Sequence, residues 1–262
     1  EKPTAREVLP SRKGTTLDSP RITFQKVSFG YRPEENILKG LDFTIEKDLA
    51  ALVGPSGRGK TTVINLILGL YEPWQGEIII GGHSLKKTES SALRKQIGVA
   101  LQEPFLWNDT IANNIRYLKE DASEAEIIDV AKLTGVDEFT RKLPQRYTTL
   151  VGETACKLSE GQKQKIAIAR ALLIKPKILI LDEAMSSMDS LSEERIMKAI
   201  RSLNIPTVIV ISHRLSTTMA CDMAYFLKGP DTMIRDKPAA LLKTDDTFRE
   251  IFASQAADSF VS

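Results

Sequence analysis

Eight residues, "GPSGRGKT" at 54–61, fit the pattern G-x-x-x-x-G-K-[ST], and each fixed position has a chemical reason. Gly54, Gly57 and Gly59, with Pro55, Ser56 and Arg58 between them, let backbone N–H groups wrap a chain of phosphates. Lys60 can reach the β- and γ-phosphates of a nucleoside triphosphate, and the Thr61 hydroxyl can ligate Mg²⁺. A second constellation is "ILILDE" at 178–183, where an apolar run delivers Asp182 and Glu183 side by side. Successive strand side chains point in different directions. One acid can therefore hold Mg²⁺, directly or through water, while the other aligns an attacking water as base. His213 closes "TVIVIS" in the same manner, a place that also suits a plain polar cap. In "LSEGQ", Ser159 precedes Gln162 by three residues ahead of an apolar run, a helix start of the capping-box type. Free N–H groups at such a start attract anions, yet no phosphate loop lies next to it.

The elements that must carry these groups alternate between strand and helix. "RITFQKVSFGY" from Arg21 places Ile22, Phe24, Val27 and Phe29 as a half-buried strand with one slip in register. "LAALVG" (49–54) is a buried strand feeding a tight turn, "TTVINLILGL" (61–70) a helix, and "GEIIIGG" (76–82) a strand between glycines. From about 104 to 157 the sequence is more polar and more helical; "SEAEIIDVAKLTG" (123–135) starts on Ser123, with Glu126 three residues on, and stops at Gly135. "PKILILDE" and "PTVIVISH" are continuous apolar strands, each opened by a proline. This alternation predicts a parallel sheet covered on both faces, with the acids at the strand ends where such sheets bind ligands.

With 262 residues the chain can bury a substantial core, and 36 basic against 34 acidic residues leave a net charge of +2. That balance argues against nucleic acid as the main partner. Cys156 and Cys221 are too few and too far apart for a disulfide framework, so a reducing compartment is expected. No apolar stretch approaches the roughly 18 residues needed to cross a bilayer. Residues 1–20, rich in Pro, Gly, Ser and Thr, read as a linker.

Taken in order, these motifs resemble the ATP-binding-cassette family, and within it the nucleotide-binding domain of an exporter; the likeness runs through nearly all of 21–255. The resemblance implies an α/β P-loop NTPase (RecA-like) core with an antiparallel β subdomain and an inserted helical subdomain at about 104–170. It also implies a connector at 1–20 and a tail at 256–262. Its expected cofactors are ATP and Mg²⁺. Tyr31 matches the residue that stacks on adenine, and Thr62 the α-phosphate contact. Gln102 matches the glutamine that senses Mg²⁺ and the attacking water. "TIANNI" (110–115) and "LVGE" (150–153) look like the exporter branch, the latter facing intracellular loops of a membrane domain. Asp182 is implied as the Mg²⁺-directed acid, Glu183 as general base and His213 as the γ-phosphate switch. Asp189 matches the loop that crosses between two sites. Ser159, Gly161 and Gln162 fall in the signature, which in this family grips the γ-phosphate of ATP held by a second nucleotide-binding domain, identical or not.

The sequence departs from the family pattern at several points. Glu160 stands where glycine is usual; it either repels the partner's triphosphate or points away. Ala155 replaces a frequent glycine, "SSMD" a commoner Ser-Ala-Leu-Asp, and Arg58 a small residue. None removes a catalytic group. The expected partners are therefore a second nucleotide-binding domain and a transmembrane domain, placed ahead of Glu1 in a longer chain or encoded separately, with the ATPase at the cytoplasmic face of a membrane. Rival readings are a cassette ATPase acting on DNA or the ribosome, a small-molecule phosphotransferase, and a non-hydrolytic regulatory module.

Overall fold

The computed structural model describes residue 17 and residues 20–88, 90–152 and 157–253. Strand β1 (Ile22–Phe29) pairs antiparallel with β2 (Leu38–Ile45). Strand β3 (Leu49–Val53) follows, then helix α1 (Lys60–Ile67), β4 (Gln75–Ile80) and the short β5 (His83–Ser84). β2, β1, β4 and β5 form one antiparallel sheet. The expected slip is a bulge: the register breaks between Phe24 and Val27, and exposed Gln25 and Lys26 absorb the extra residue. Ile22, Phe24, Val27 and Phe29 thereby all face the core. Helix α1 is shorter than the apolar run suggested, because Gly69 at φ 62° turns the chain away just after Leu68.

The chain continues through α2 (Ser90–Arg94), β6 (Ile97–Leu101), β7 (Asp109–Thr110), α3 (Ile111–Arg116), α4 (Glu124–Thr134), α5 (Val136–Thr140), β8 (Leu150–Val151) and α6 (Glu160–Leu173). Helix α4 has the expected ends. Ser123 Oγ accepts from Glu126 N, the Glu126 carboxylate accepts from Ser123 N, and Gly135 closes the helix at φ 74°. Beyond lie β9 (Ile178–Asp182), α7 (Ser190–Ser202), β10 (Thr207–Ile211), α8 (Leu215–Met219), β11 (Met223–Leu227), β12 (Met233–Asp236), α9 (Pro238–Thr244) and α10 (Asp246–Ile251).

Among the described residues, a six-stranded sheet runs in the order β12-β11-β3-β10-β9-β6. It is parallel throughout except for β12, which pairs antiparallel with β11 at one edge. Both faces are covered. In β9, Ile178 and Ile180 enter the core shared with the antiparallel sheet and α1, while Leu179 and Leu181 enter the core beneath α6 and α7. A third core joins α3, α4, α5 and α6. Helix α6 serves two of them: Ala167, Ile168 and Ala171 face the sheet, and Ile166, Ala169 and Leu173 face the helices. The fold is thus the P-loop NTPase core with an antiparallel β layer that the resemblance implied.

Of residues 1–20, only Leu17 and Pro20 are described, and both are buried. Leu17 N donates to Gln96 Oε1 at 2.9 Å, and Pro20 O accepts from Thr207 Oγ1 at 3.0 Å. The expected tail at 256–262, together with Glu153, Ala155 and Cys156, lies outside the described residues. Cys221 is a buried thiol whose pKa burial pushes up to about 12.

Candidate functional site at the strand ends

The loop after β3 turns at the carboxyl end of the parallel sheet. Gly59, at φ 97°, leads directly into α1, and a side chain there would be strained as well as pressed 2.8 Å from Ile37 Cγ2. Gly54 and Pro55 form the base of the loop, while Ser56, Gly57 and Arg58 face solvent. Lys60 Nζ donates to Gly54 O at 2.7 Å and Pro55 O at 3.2 Å, so the ammonium is folded back across the cradle. Burial pulls the Lys60 pKa down, and the nearby carboxylates of Glu183 and Asp182 oppose that. Thr61 is exposed at the rim. Thr62 is buried, with its hydroxyl 3.3 Å from the Tyr31 hydroxyl. Tyr31 also accepts from Asn65 Nδ2 at 3.1 Å and meets Tyr71 edge-on, leaving one aromatic surface beside α1.

The acids stand where the sequence put them. Asp182 ends β9, in register with Leu101 of β6 and Ile211 of β10. Gln102, exposed, follows β6 and so comes beside Asp182. Glu183 has φ 50°, left-handed for a non-glycine residue, and its N–H donates to Ile211 O at 3.0 Å. Such a backbone costs of order 1 kcal/mol and persists where its surroundings hold it. It aims the carboxylate at His213, whose Nε2 lies 2.8 Å from Glu183 Oε1. Burial, with the Glu183 charge beside it, raises the Asp182 pKa; Lys60 and His213 act against that rise. Asp182, Glu183, Lys60 and His213 therefore form one electrostatic cluster built from two strand ends and a helix start.

A divalent cation suits this cluster. Asp182 offers oxygen donors within it, where burial and the Glu183 charge disfavour its bare carboxylate, and Thr61 and Gln102, chain neighbours of Lys60 and Leu101, could add theirs from its edge. No group of three or more His, Cys, Asp or Glu among the described residues can cage a metal. An ion here would complete its shell with water and phosphate oxygens, which is the habit of Mg²⁺.

The start of α6 is built differently. Ser159 Oγ accepts from Gln162 N at 3.3 Å, and Gln162 Oε1 accepts from Ser159 N at 2.9 Å, a closed capping box. Glu160 pairs with Lys163 at 2.7 Å, so its carboxylate lies back along the helix. An ideal Cβ on Gly161 would lie 2.9 Å from Ser187 O, so the first turn packs directly on the loop before α7. Asp189 caps α7: its carboxylate accepts from Ser192 N at 2.8 Å and Ser192 Oγ at 2.7 Å, bonds that lower its pKa.

Two buried polar residues escaped the sequence reading. Gln164, on α6, bonds to the Gln102 segment and to Ser186 and Ser187. Glu193, on α7, accepts from Arg214 and from Thr217 Oγ1. Both sit in apolar stripes, Gln164 with Ala167, Ile168 and Ala171, and Glu193 with Ile196, Met197 and Ile200. A polar residue breaking a helical apolar stripe is the signal that marks them.

The ABC transporter family model matches residues 38–186. The ATM1-type heavy metal exporter of Novosphingobium aromaticivorans is 39% identical over 253 residues, covering 96% of this chain and 42% of that protein. The ABC transporter B family member 13 of Arabidopsis thaliana is 44% identical over 229 residues, covering 86% of this chain and 18% of that protein. A solved structure of a bacterial Atm1-family ABC exporter with ATP bound superposes with a TM-score of 0.89 at 38% identity. That match covers 95% of this chain and 44% of the solved one. The chain thus spans less than half the length of these relatives.

Proposed function

This chain belongs to the ABC transporter family, as a nucleotide-binding domain of exporter type, and from that premise we propose that two such domains close head to tail around ATP to drive transport across a membrane. The observation that carries the proposal is that the capped start of α6, closed on itself by Ser159 and Gln162, supplies no group to the strand-end cluster of its own chain. One half has the phosphate loop and the acids; the other has an anion-seeking helix end with nothing of its own to bind. They are complementary halves of a two-fold interface.

In this reading Tyr31 supports the adenine ring, and Thr62 lies along the α-phosphate. Gly54 to Thr61 wrap the phosphates, and Lys60 exchanges its two carbonyl acceptors for phosphate oxygens. Mg²⁺, held by Thr61, Asp182 and Gln102 together with phosphate oxygens, would supply charge neutralisation at the transferring phosphoryl group. Glu183 orients the attacking water and takes its proton, with His213 on the same carboxylate to fix its rotamer and face the γ-phosphate. From the partner, the residues equivalent to Ser159, Gly161 and Gln162 close over the γ-phosphate, and Asp189 lies at the crossing between the sites. Hydrolysis removes the bridge that holds the pair together.

The membrane partner is part of the same proposal. Phe105, Tyr117 and Leu150 expose apolar surface on the helical part of the molecule, of the kind that marks an interaction site. Arg170 steadies that surface by donating to Phe105 O at 3.0 Å and Asn114 O at 2.8 Å. No helix among the described residues is long and apolar enough to cross a membrane. The transmembrane domain, in the same chain or another, would place this one at the cytoplasmic face. The test is dilution. Phosphate release by the purified chain should rise faster than in proportion to its concentration, and strict proportionality at every dilution overturns the two-chain site.

A further inference from the structure

Gln164 lies in line with side chains that fill the core between α6 and the parallel sheet, yet it is an amide only 1% exposed. A buried amide needs partners for its N–H donors and its oxygen. It has them all. Nε2 donates to the main-chain oxygen of Gln102 at 3.2 Å and to Ser186 Oγ at 3.1 Å, and Oε1 accepts from Ser187 N at 3.1 Å. One side chain thereby joins three segments far apart in sequence: the head of α6, the residue after β6, and the loop from Glu183 to α7. The first turn of α6 packs on the same loop, where a Cβ on Gly161 would lie 2.9 Å from Ser187 O. From the opposite side Arg214, next to His213, donates to Ser186 O at 3.2 Å and Met188 O at 2.7 Å. The loop is gripped from α6 on one side and from the end of β10 on the other.

We propose that Gln164 is a positioning residue that ties the phosphate-facing head of α6 to Gln102 and to the Glu183 loop. A displacement of either segment when the chain's own nucleotide binds then moves Ser159 and Gly161, which serve the partner's nucleotide. The inference rests on the two-chain reading above, and it names the bonds through which one site informs the other. Close-packed interiors pass such displacements on rather than absorbing them. Gln164 touches neither nucleotide; its effect runs through the bonds it makes. In Gln164→Leu the volume is kept, but Gln102 O and Ser187 N lose their partner.

The experiment is ATP hydrolysis by the full-length transporter as a function of ATP concentration, with equilibrium binding of a fluorescent ATP analogue alongside. Gln164→Leu should lower kcat about tenfold or more and bring the Hill coefficient down to about 1, with KM and Kd within about twofold of wild type. Ser186→Ala, which removes one of the three bonds at an exposed residue, should shift both quantities the same way by less. The double variant should be no worse than Gln164→Leu alone. Wild-type kcat and Hill coefficient in Gln164→Leu overturn the inference, as does a Kd that rises in step with the loss of kcat. Should Gln164→Leu fail to fold, an unchanged Hill coefficient in Ser186→Ala is decisive against it. A Hill coefficient of about 1 in the wild type brings down the two-chain reading as well; a cooperative wild type beside an equally cooperative variant sinks the inference alone.

Discussion

The rim of the parallel sheet and the head of α6 use opposite means. At the rim, Lys60, Asp182, Glu183 and His213 arrive from separate stretches of chain and crowd ionisable groups together, with a strained Glu183 backbone and displaced pKa values for Lys60 and Asp182. At the head of α6, Ser159 and Gln162 satisfy each other across three residues, with no buried charge and no strain. Developing charge must meet convergent, preorganised groups, which only a tertiary fold supplies. Recognising a finished phosphate needs only donors at a helix end, which local sequence supplies. The chemistry is therefore assembled, and the recognition is ready-made.

The sharpest way to break this contrast is at the rim. Glu183→Gln should reduce turnover by about 10²–10⁴-fold, the usual contribution of a general base, while nucleotide binding persists. Turnover near wild type would remove Glu183 from the reaction. At the other region, Ser159→Arg should cut turnover about tenfold or more by blocking closure, while leaving nucleotide affinity of the single chain unchanged. It should also cost about 1 kcal/mol of stability through the lost cap, readable by urea unfolding. A loss of single-chain affinity would put Ser159 in the wrong pocket.

Asp182→Asn separates the regions by stability. The native Asp182 pKa is raised above its unfolded value, so the wild type is destabilised once pH exceeds that raised pKa. The variant should melt higher than wild type at pH 7 without nucleotide, and the gain should shrink as pH falls and the native carboxyl takes up its proton. A gain that grows on acidification would reverse the sign argued here. The smallest effect is expected at Glu160. Its exposed pair with Lys163 contributes about 0.2–0.5 kcal/mol, and its carboxylate lies away from the helix end. Glu160→Ala should change turnover less than about twofold; a large rise would mean the acid does oppose the phosphate.

What was legible in the sequence follows the same division. The capping boxes at Ser123 and Ser159, the bulge in β1 and the apolar strands leading to Asp182 and His213 are short-range patterns, and the structure has each of them. The phosphate loop was legible because its glycines are demanded by local backbone geometry. The pairing of β11 with β3, the reversed β12 at the sheet edge and the 2.8 Å contact between Glu183 and His213 depend on segments distant in the chain, which periodicity does not encode. Gln164 and Glu193 looked like ordinary polar letters on helices until their buried partners were seen. Leu17, among polar and proline residues, gave no sign that it would enter the core.

That buried leucine has a mechanical consequence. Leu17 and Pro20 fasten the chain to Gln96 and Thr207, at the amino ends of β6 and β10, whereas His213 follows the carboxyl end of β10 and the acids that of β9, which lies between them. A five-residue strand is about 17 Å long and stiff along its axis. Any pull exerted through the segment before residue 17 is thus delivered to the foot of the same beams whose tops carry the chemistry. Pro20 and His213 thus meet opposite ends of one strand.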